Sequence, residues 1–162
     1  MQTFLPSSNF ATAAHMLDSK RLNKQILEGY QILKILSGAS PSGAWRNHPA
    51  VLMWEGSESE LYRYGMTAIV LAEMRGIKTD KNRANMDALS RSRASLMWED
   101  NTPLWASSPS IIKRVNATHK ANLYRKDPVY YAKYSSSVDN KLNKPCCDRC
   151  QYFWVTHEEK NV

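Results

Sequence analysis

Apolar residues recur along this chain mainly at helical spacing. Leu22, Ile26, Tyr30, Leu33 and Leu36 fall on one stripe at about 3.6 residues per turn. Followed back one turn, the stripe meets Asp18, where a leucine or isoleucine would continue it. Arg21, Gln25 and Glu28 stack along one polar flank, and Lys20, Lys24 and Gln31 along the next. The helix bearing this pattern opens near Phe10, after the capping candidates Ser7, Ser8 and Asn9, and runs to Leu36 with a break around residues 18–23. Residues 37–43 form a loop. Pro49 suits the first position of a short helix, with Asn47 or His48 just outside it. A further helix starts by Ser57 or Ser59 and runs to Arg75, stopped by Gly76, with Leu61, Tyr64, Ala68, Leu71 and Ala72 facing inwards. From Lys78 the pattern weakens into alternating charge, read as a surface excursion with one helix around residues 84–96. Residues 98–109 suggest a packed irregular loop. A last helix runs from Ser110 to about Arg125 and stops at Pro128. No strand signal is convincing, so the predicted class is all-α: one compact helical domain with irregular loops.

Charge changes this picture. The 162-residue chain carries a net charge of +7, which points to a polyanionic partner. The excess is local: between Ser110 and Tyr134, Lys113, Arg114, Lys120, Arg125, Lys126 and Lys133 face one acid, Asp127. No apolar run is long enough to cross a membrane, and the start shows no secretory pattern. Three cysteines, Cys146, Cys147 and Cys150, cannot make a disulfide framework. The expected compartment is a reducing cytoplasm.

Three groupings are candidates for chemistry. The first is the polar front half of the first long helix, residues 17–28, whose bland reading is a solvated face laced by Asp18–Arg21 and Lys24–Glu28 pairs. The second, Trp45-Arg46-Asn47-His48-Pro49, places a cation, an amide and an imidazole at a helix start suited to phosphate. Simple capping explains Asn47 and His48 equally well. The third spans residues 118–131, where His119, Asn122 and Lys126 (or Arg125) share a helix face. Its basic residues interleave with Tyr124, Tyr130, Tyr131 and Tyr134, a pattern suited to phosphate contacts beside base stacking. The competing reading buries the tyrosines. Cys147 and Cys150 form a Cys-x₂-Cys pair with His157 beyond, but the partner pair is missing, so free thiols are preferred to zinc. No metal and no cofactor is expected.

The segments Met1-Gln2-Thr3-Phe4-Leu5-Pro6, Leu17 to Gln25, Trp45 to Trp54 and Asn122 to Tyr131 together resemble the pyrimidine-dimer DNA glycosylases, the endonuclease V family of T-even phages. The likeness is greatest to a divergent bacterial and phage branch. It covers residues 1–75 and 115–134, making residues 1–134 a glycosylase-like helical domain with 78–110 as an insertion, followed by a polar tail at 135–162.

The resemblance implies a monomer that binds damaged duplex DNA, flips out a base and cuts the glycosidic bond of a damaged pyrimidine. An amine attacks C1′, and β-elimination from the resulting Schiff base nicks the strand. In the phage enzyme the amine is an α-amine exposed by Met removal, helped by a Glu of the first helix. Here Gln2 blocks ordinary Met removal, and Arg21 aligns with the Glu. Arginine stays protonated and cannot be a base. The expected catalytic groups are therefore Met1, as α-amine, and a carboxylate from Asp18, the first choice, or Glu28. An α-amine, with an ordinary pKa of about 7.7–8.0, is neutral more often than a solvated lysine near about 10.4. The expected DNA contacts are Lys20, Arg21, Lys24, Gln25, Arg46, Asn47, His48, His119, Asn122, Arg125 and Lys126. A non-catalytic DNA-binding protein, a glycosylase for another modified base, and a basic protein–protein module are the alternatives.

Overall fold

Asn9 and Asp18 are each extended at their own backbone and start a helix. Asn9 accepts the Thr12 N–H at 2.9 Å and opens α1, Phe10–His15. Asp18 is extended at its own backbone (φ −65°, ψ 162°) and accepts the Arg21 N–H at 3.0 Å, opening α2, Ser19–Leu36. Asp18 thus interrupts the apolar stripe because the helix begins there, which is what an N-cap carboxylate does. Arg75, at the end of a later helix, donates to the carbonyls of Leu17 (2.6 Å) and His15 (2.9 Å), satisfying groups that the break leaves open. The computed structural model describes residues 1–40, 44–92, 101–137 and 152–156.

Among the described residues four more α-helices follow: α3, Pro49–Leu52; α4, Glu58–Met74; α5, Asp80–Ser92; and α6, Pro109–Lys126. Among the described residues there is no strand. The fold is all-α, as the periodicity predicts. α2 is central, packing chiefly on α4 and also on α5 and α3, while α1 lies on α4. Its buried face is broader than one stripe. Leu22, Ile26, Ile32 and Leu33 are fully enclosed, Tyr30 and Leu36 only partly, and Gln25 and Glu28 are buried beside them. Gly76 (φ 73°) ends α4 in the left-handed region that glycine adopts without strain.

The charged stretch after Lys78 is a packed element. α5 opens at Asp80, earlier than expected, and buries Met86 and Leu89 in the same core as α2 and α4. Gly65 makes room for it, since a Cβ there would lie 2.5 Å from the Met86 methyl. One of its charges is paired in place: Arg83 donates to Glu73 of α4, which also accepts from Thr79. A 3₁₀ turn, Leu104–Ala106, drives Trp105 into an aromatic cluster with Phe10, Trp54 and Tyr64. Tyr131 and Tyr134 are also core residues, and Tyr124 is half-buried, so of the four tyrosines expected to stack on bases only Tyr130 is exposed. Residues 152–156 lie along α6, with the Arg114 guanidinium 3.8 Å from the Phe153 ring centre. Cys146, Cys147, Cys150 and His157 fall outside the described residues, and the zinc question with them.

Candidate active site and DNA interface

The first residues of the chain have no periodicity of their own, yet Thr3, Phe4 and Leu5 are buried. Side chains from three helices and a turn hold them. Gln25 of α2 accepts the Phe4 N–H at 2.5 Å and donates to the Gln2 carbonyl at 3.2 Å. Tyr64 of α4 donates to the Phe4 carbonyl at 2.7 Å. His119 of α6 accepts the Leu5 N–H on Nδ1 at 2.7 Å. The Trp54 indole N–H, just past α3, bonds to Thr3 Oγ1 at 2.9 Å. A buried backbone needs such partners, and here they fix where residue 1 emerges.

It emerges into a cleft of about 440 Å³ lined by Met1, Gln2, Phe4, Lys20, Arg21, Lys24, Glu28 and Lys126. Four cationic side chains therefore surround one carboxylate and the terminal amine. Burial raises the Glu28 pKa above the ordinary carboxylate value, and the charges of Lys24, the terminal amine and Lys126 offset this only in part. Lys24 Nζ lies 3.6 Å from Glu28 Oε1 and is itself largely exposed. His48 also feels the terminal ammonium: burial lowers its pKa, and that charge lowers it further. Glu28 and His48 thus both feel the charge of the amine, and Glu28 shares the cleft with Met1.

Asp18, the first-choice carboxylate, is differently engaged. Both its oxygens are occupied: Oδ1 takes the Arg21 N–H, while Oδ2 takes Arg21 Nη1 at 2.5 Å and the Tyr131 hydroxyl at 2.7 Å. The Tyr131 hydroxyl in turn accepts the Asp18 N–H at 2.9 Å. Burial raises the Asp18 pKa, but the hydrogen bonds from Arg21 and Tyr131 and the charge of Arg21 outweigh it and hold the carboxyl below its usual range. Asp18 does not line the cleft. It caps α2 and orients Arg21, which also reaches Asp127 at 3.6 Å and lies 5.3 Å from the Tyr131 ring centre. Of the two carboxylates singled out in the sequence, Glu28 is the one in the cleft.

The expected DNA contacts divide by burial. Lys20, Lys24, Arg46, Asn47, Arg125 and Lys126 are exposed, Arg21 and His48 half-buried. Gln25, His119 and Asn122 are at most 1% exposed, which corrects their reading as surface contacts. Gln25 and His119 fasten the N-terminal lead, and Asn122 donates to the Thr118 carbonyl at 2.8 Å inside α6. Burial drives the His119 pKa down to about 3, which keeps the imidazole neutral, as its acceptor role requires. The helix start at Pro49 is also weaker than expected as an anion site: α3 has one turn, and His48 Nδ1 is used in accepting the Ala50 N–H at 3.1 Å. Phe4 and Gln2 as cleft walls, and Tyr131 as the partner of Asp18, were not singled out as site residues in the sequence. Their roles depend on contacts between segments far apart in the chain. Among the described residues no group of three or more His, Cys, Asp or Glu could hold a metal ion.

These features define a class: a small all-α protein with a basic cleft built around its own N-terminus. The family model described as pyrimidine dimer DNA glycosylase matches residues 1–85, more than half of the chain, and the chain belongs to that family. It is a DNA repair glycosylase, and DNA is its substrate. No curated protein and no solved structure matches the chain. The matched residues include every element holding the N-terminal lead except α6. Among the described residues no helix is long and apolar enough to cross a membrane.

Proposed function

We propose that the chain removes damaged pyrimidines, pyrimidine dimers among them, from duplex DNA and nicks the resulting strand, with the Met1 α-amine as nucleophile and Glu28 as its acid–base partner. The observation that carries this reading is the cleft: the buried lead delivers the amine beside a partly desolvated carboxyl whose raised pKa suits proton exchange. The neutral amine attacks C1′ of the damaged nucleotide, and the electrons of the glycosidic bond leave with the base. Loss of a proton from nitrogen and opening of the sugar ring give the imine. Removal of a 2′ proton then expels the 3′ phosphate, and hydrolysis of the imine frees the amine. Glu28 is the group placed to carry these protons. Lys20, Arg21, Lys24 and Lys126 bind phosphates around the cleft and position the duplex without reading its sequence. Asp18 acts through Arg21 and is a positioning residue.

Two substitutions test this division. Glu28→Gln should bind damaged duplex within about threefold of wild type and lose base release by roughly a hundredfold, at the lower end of the general acid–base range. Asp18→Ala should instead lower stability by about 2–3 kcal/mol through loss of the cap and of the Arg21 and Tyr131 bonds. An active Glu28→Gln enzyme would remove Glu28 from the mechanism.

A further inference from the structure

Residues 152–156 lie beyond the family-matched residues 1–85, yet they pack against a side chain that holds the N-terminal lead. The Phe153 N–H donates to Thr118 Oγ1 at 3.3 Å, and the Arg114 guanidinium covers the Phe153 ring, so two side chains of α6 fix the segment to that helix. The Tyr152 and Trp154 rings then stand 5.5 and 5.7 Å from the His119 imidazole, at 86° and 71° to it. Phe4 of the lead supplies a third ring, 6.4 Å away at 86°, and itself meets Tyr152 at 6.3 Å. His119 has no exposed surface. Its Nδ1 is spent on the Leu5 N–H, and its Nε2 is buried without a hydrogen-bond partner. Protonation would remove the lone pair that accepts from Leu5 and would bury an unpaired cation. Burial is the cause of its lowered pKa, and no charged group among the described residues contributes. The titratable group facing it is the Tyr152 phenol, whose own pKa burial raises. The Gln2 amide, Arg125 and Arg21 lower that pKa and Glu28 raises it. Gln2 Nε2 and the Tyr152 hydroxyl are close enough for this influence, although neither makes a hydrogen bond of good geometry.

We propose that residues 152–156 are a clasp on the N-terminal lead: Tyr152 and Trp154 wall His119 off from water, keep its Nδ1 free for the Leu5 N–H, and so act as positioning residues for the Met1 amine. The inference rests on the amine reading of the cleft. The test pairs two measurements on wild type and Tyr152→Ala between pH 8 and 5.5. One is the His119 ring-proton signal by NMR, assigned with His119→Asn; the other is the rate of nicking at an abasic site in duplex DNA. In wild type the signal should stay flat over this range. In Tyr152→Ala water reaches the imidazole, and the signal should titrate near the ordinary pKa of about 6.5, leaving about one His119 in ten neutral at pH 5.5. The ratio of wild-type to variant rate should therefore rise roughly tenfold across the range. Tyr152→Phe, which restores the ring, should restore the wild-type profile. Tyr152→Ala combined with His119→Asn should lose the new pH dependence, because an amide oxygen accepts without titrating. Trp154→Ala opens the other wall and should show the same pH dependence, which keeps the test decisive if Tyr152→Ala does not fold. A flat His119 signal in the alanine variants, or a rate ratio that does not change with pH, would overturn the clasp and leave the rings as packing alone. A wild type that nicks nothing while the signals behave as expected would overturn the amine reading and the positioning role with it.

Discussion

Glu28 and Asp18 belong to the same helix, and the fold treats them in opposite ways. Asp18 is saturated with donors and kept ionised, whereas Glu28 is buried and, among the described residues, ion-paired to one exposed lysine, Lys24. A carboxyl whose folded pKa is raised by burial weakens the fold as pH rises through that pKa. Glu28→Gln should therefore be at least as stable as wild type at neutral pH, the trade expected of a group retained for chemistry. His119 gives a pH signature of its own. Its pKa falls from an ordinary 6.5 to about 3 in the fold. The unfolded chain takes up a proton first on acidification, so its contribution is complete above about pH 6.5 and declines towards pH 3. The loss approaches about 1.4 kcal/mol per pH unit within that window. The Asp18 pKa is lowered as well, so its contribution is complete above the ordinary carboxylate value and is lost only at lower pH, as its own depressed pKa is crossed. Denaturation midpoints measured between pH 7 and 4 should fall in wild type and fall less steeply in His119→Phe. Equal slopes would mean that His119 is not buried as a neutral acceptor.

At the scale of elements, the N-terminal lead behaves as part of the site. Trp54→Phe keeps the aromatic packing but removes the bond to Thr3, at a cost of about 0.5–1.5 kcal/mol. It should lower the rate of base release more than it lowers DNA affinity, because it loosens the amine and leaves the cations in place. A variant with wild-type kinetics would show that the lead is held well enough without Trp54. Much of the element pattern was legible in the chain. Asn9, Pro49, Gly76 and Pro128 mark helix ends by local chemistry that needs no tertiary contact. α5 starts earlier than the charge pattern suggests, because its surface charges mask two buried residues, Met86 and Leu89. The polar front of α2 was visible as a site, but the choice of Asp18 over Glu28 was not resolvable there. An acid in an apolar stripe can be a cap or a catalyst; its cap bond to the Arg21 N–H is local, whereas the Tyr131 hydroxyl that engages its other oxygen comes from far along the chain. The burial of Thr3 to Leu5 had no sequence signal, since every partner lies in another element.

For the whole molecule, the charge and the cleft converge. The net charge of +7 draws the protein to DNA, and Lys20, Arg21, Lys24 and Lys126 concentrate it where the amine emerges. Affinity for duplex should fall linearly with salt on a log–log plot, by about 0.9 in slope for each phosphate contacted, and Lys126→Ala should reduce that slope by about one. Salt-independent binding would contradict the phosphate role. The central claim is that a buried lead makes the chain's own terminus the nucleophile. Borohydride reduction on duplex DNA containing an abasic site, followed by digestion and mass spectrometry, reads the attacking nitrogen directly. The adduct is predicted on the Met1 α-nitrogen and should disappear when the terminus is acetylated. An adduct on Lys20, Lys24 or Lys126, or none from active protein, would contradict it.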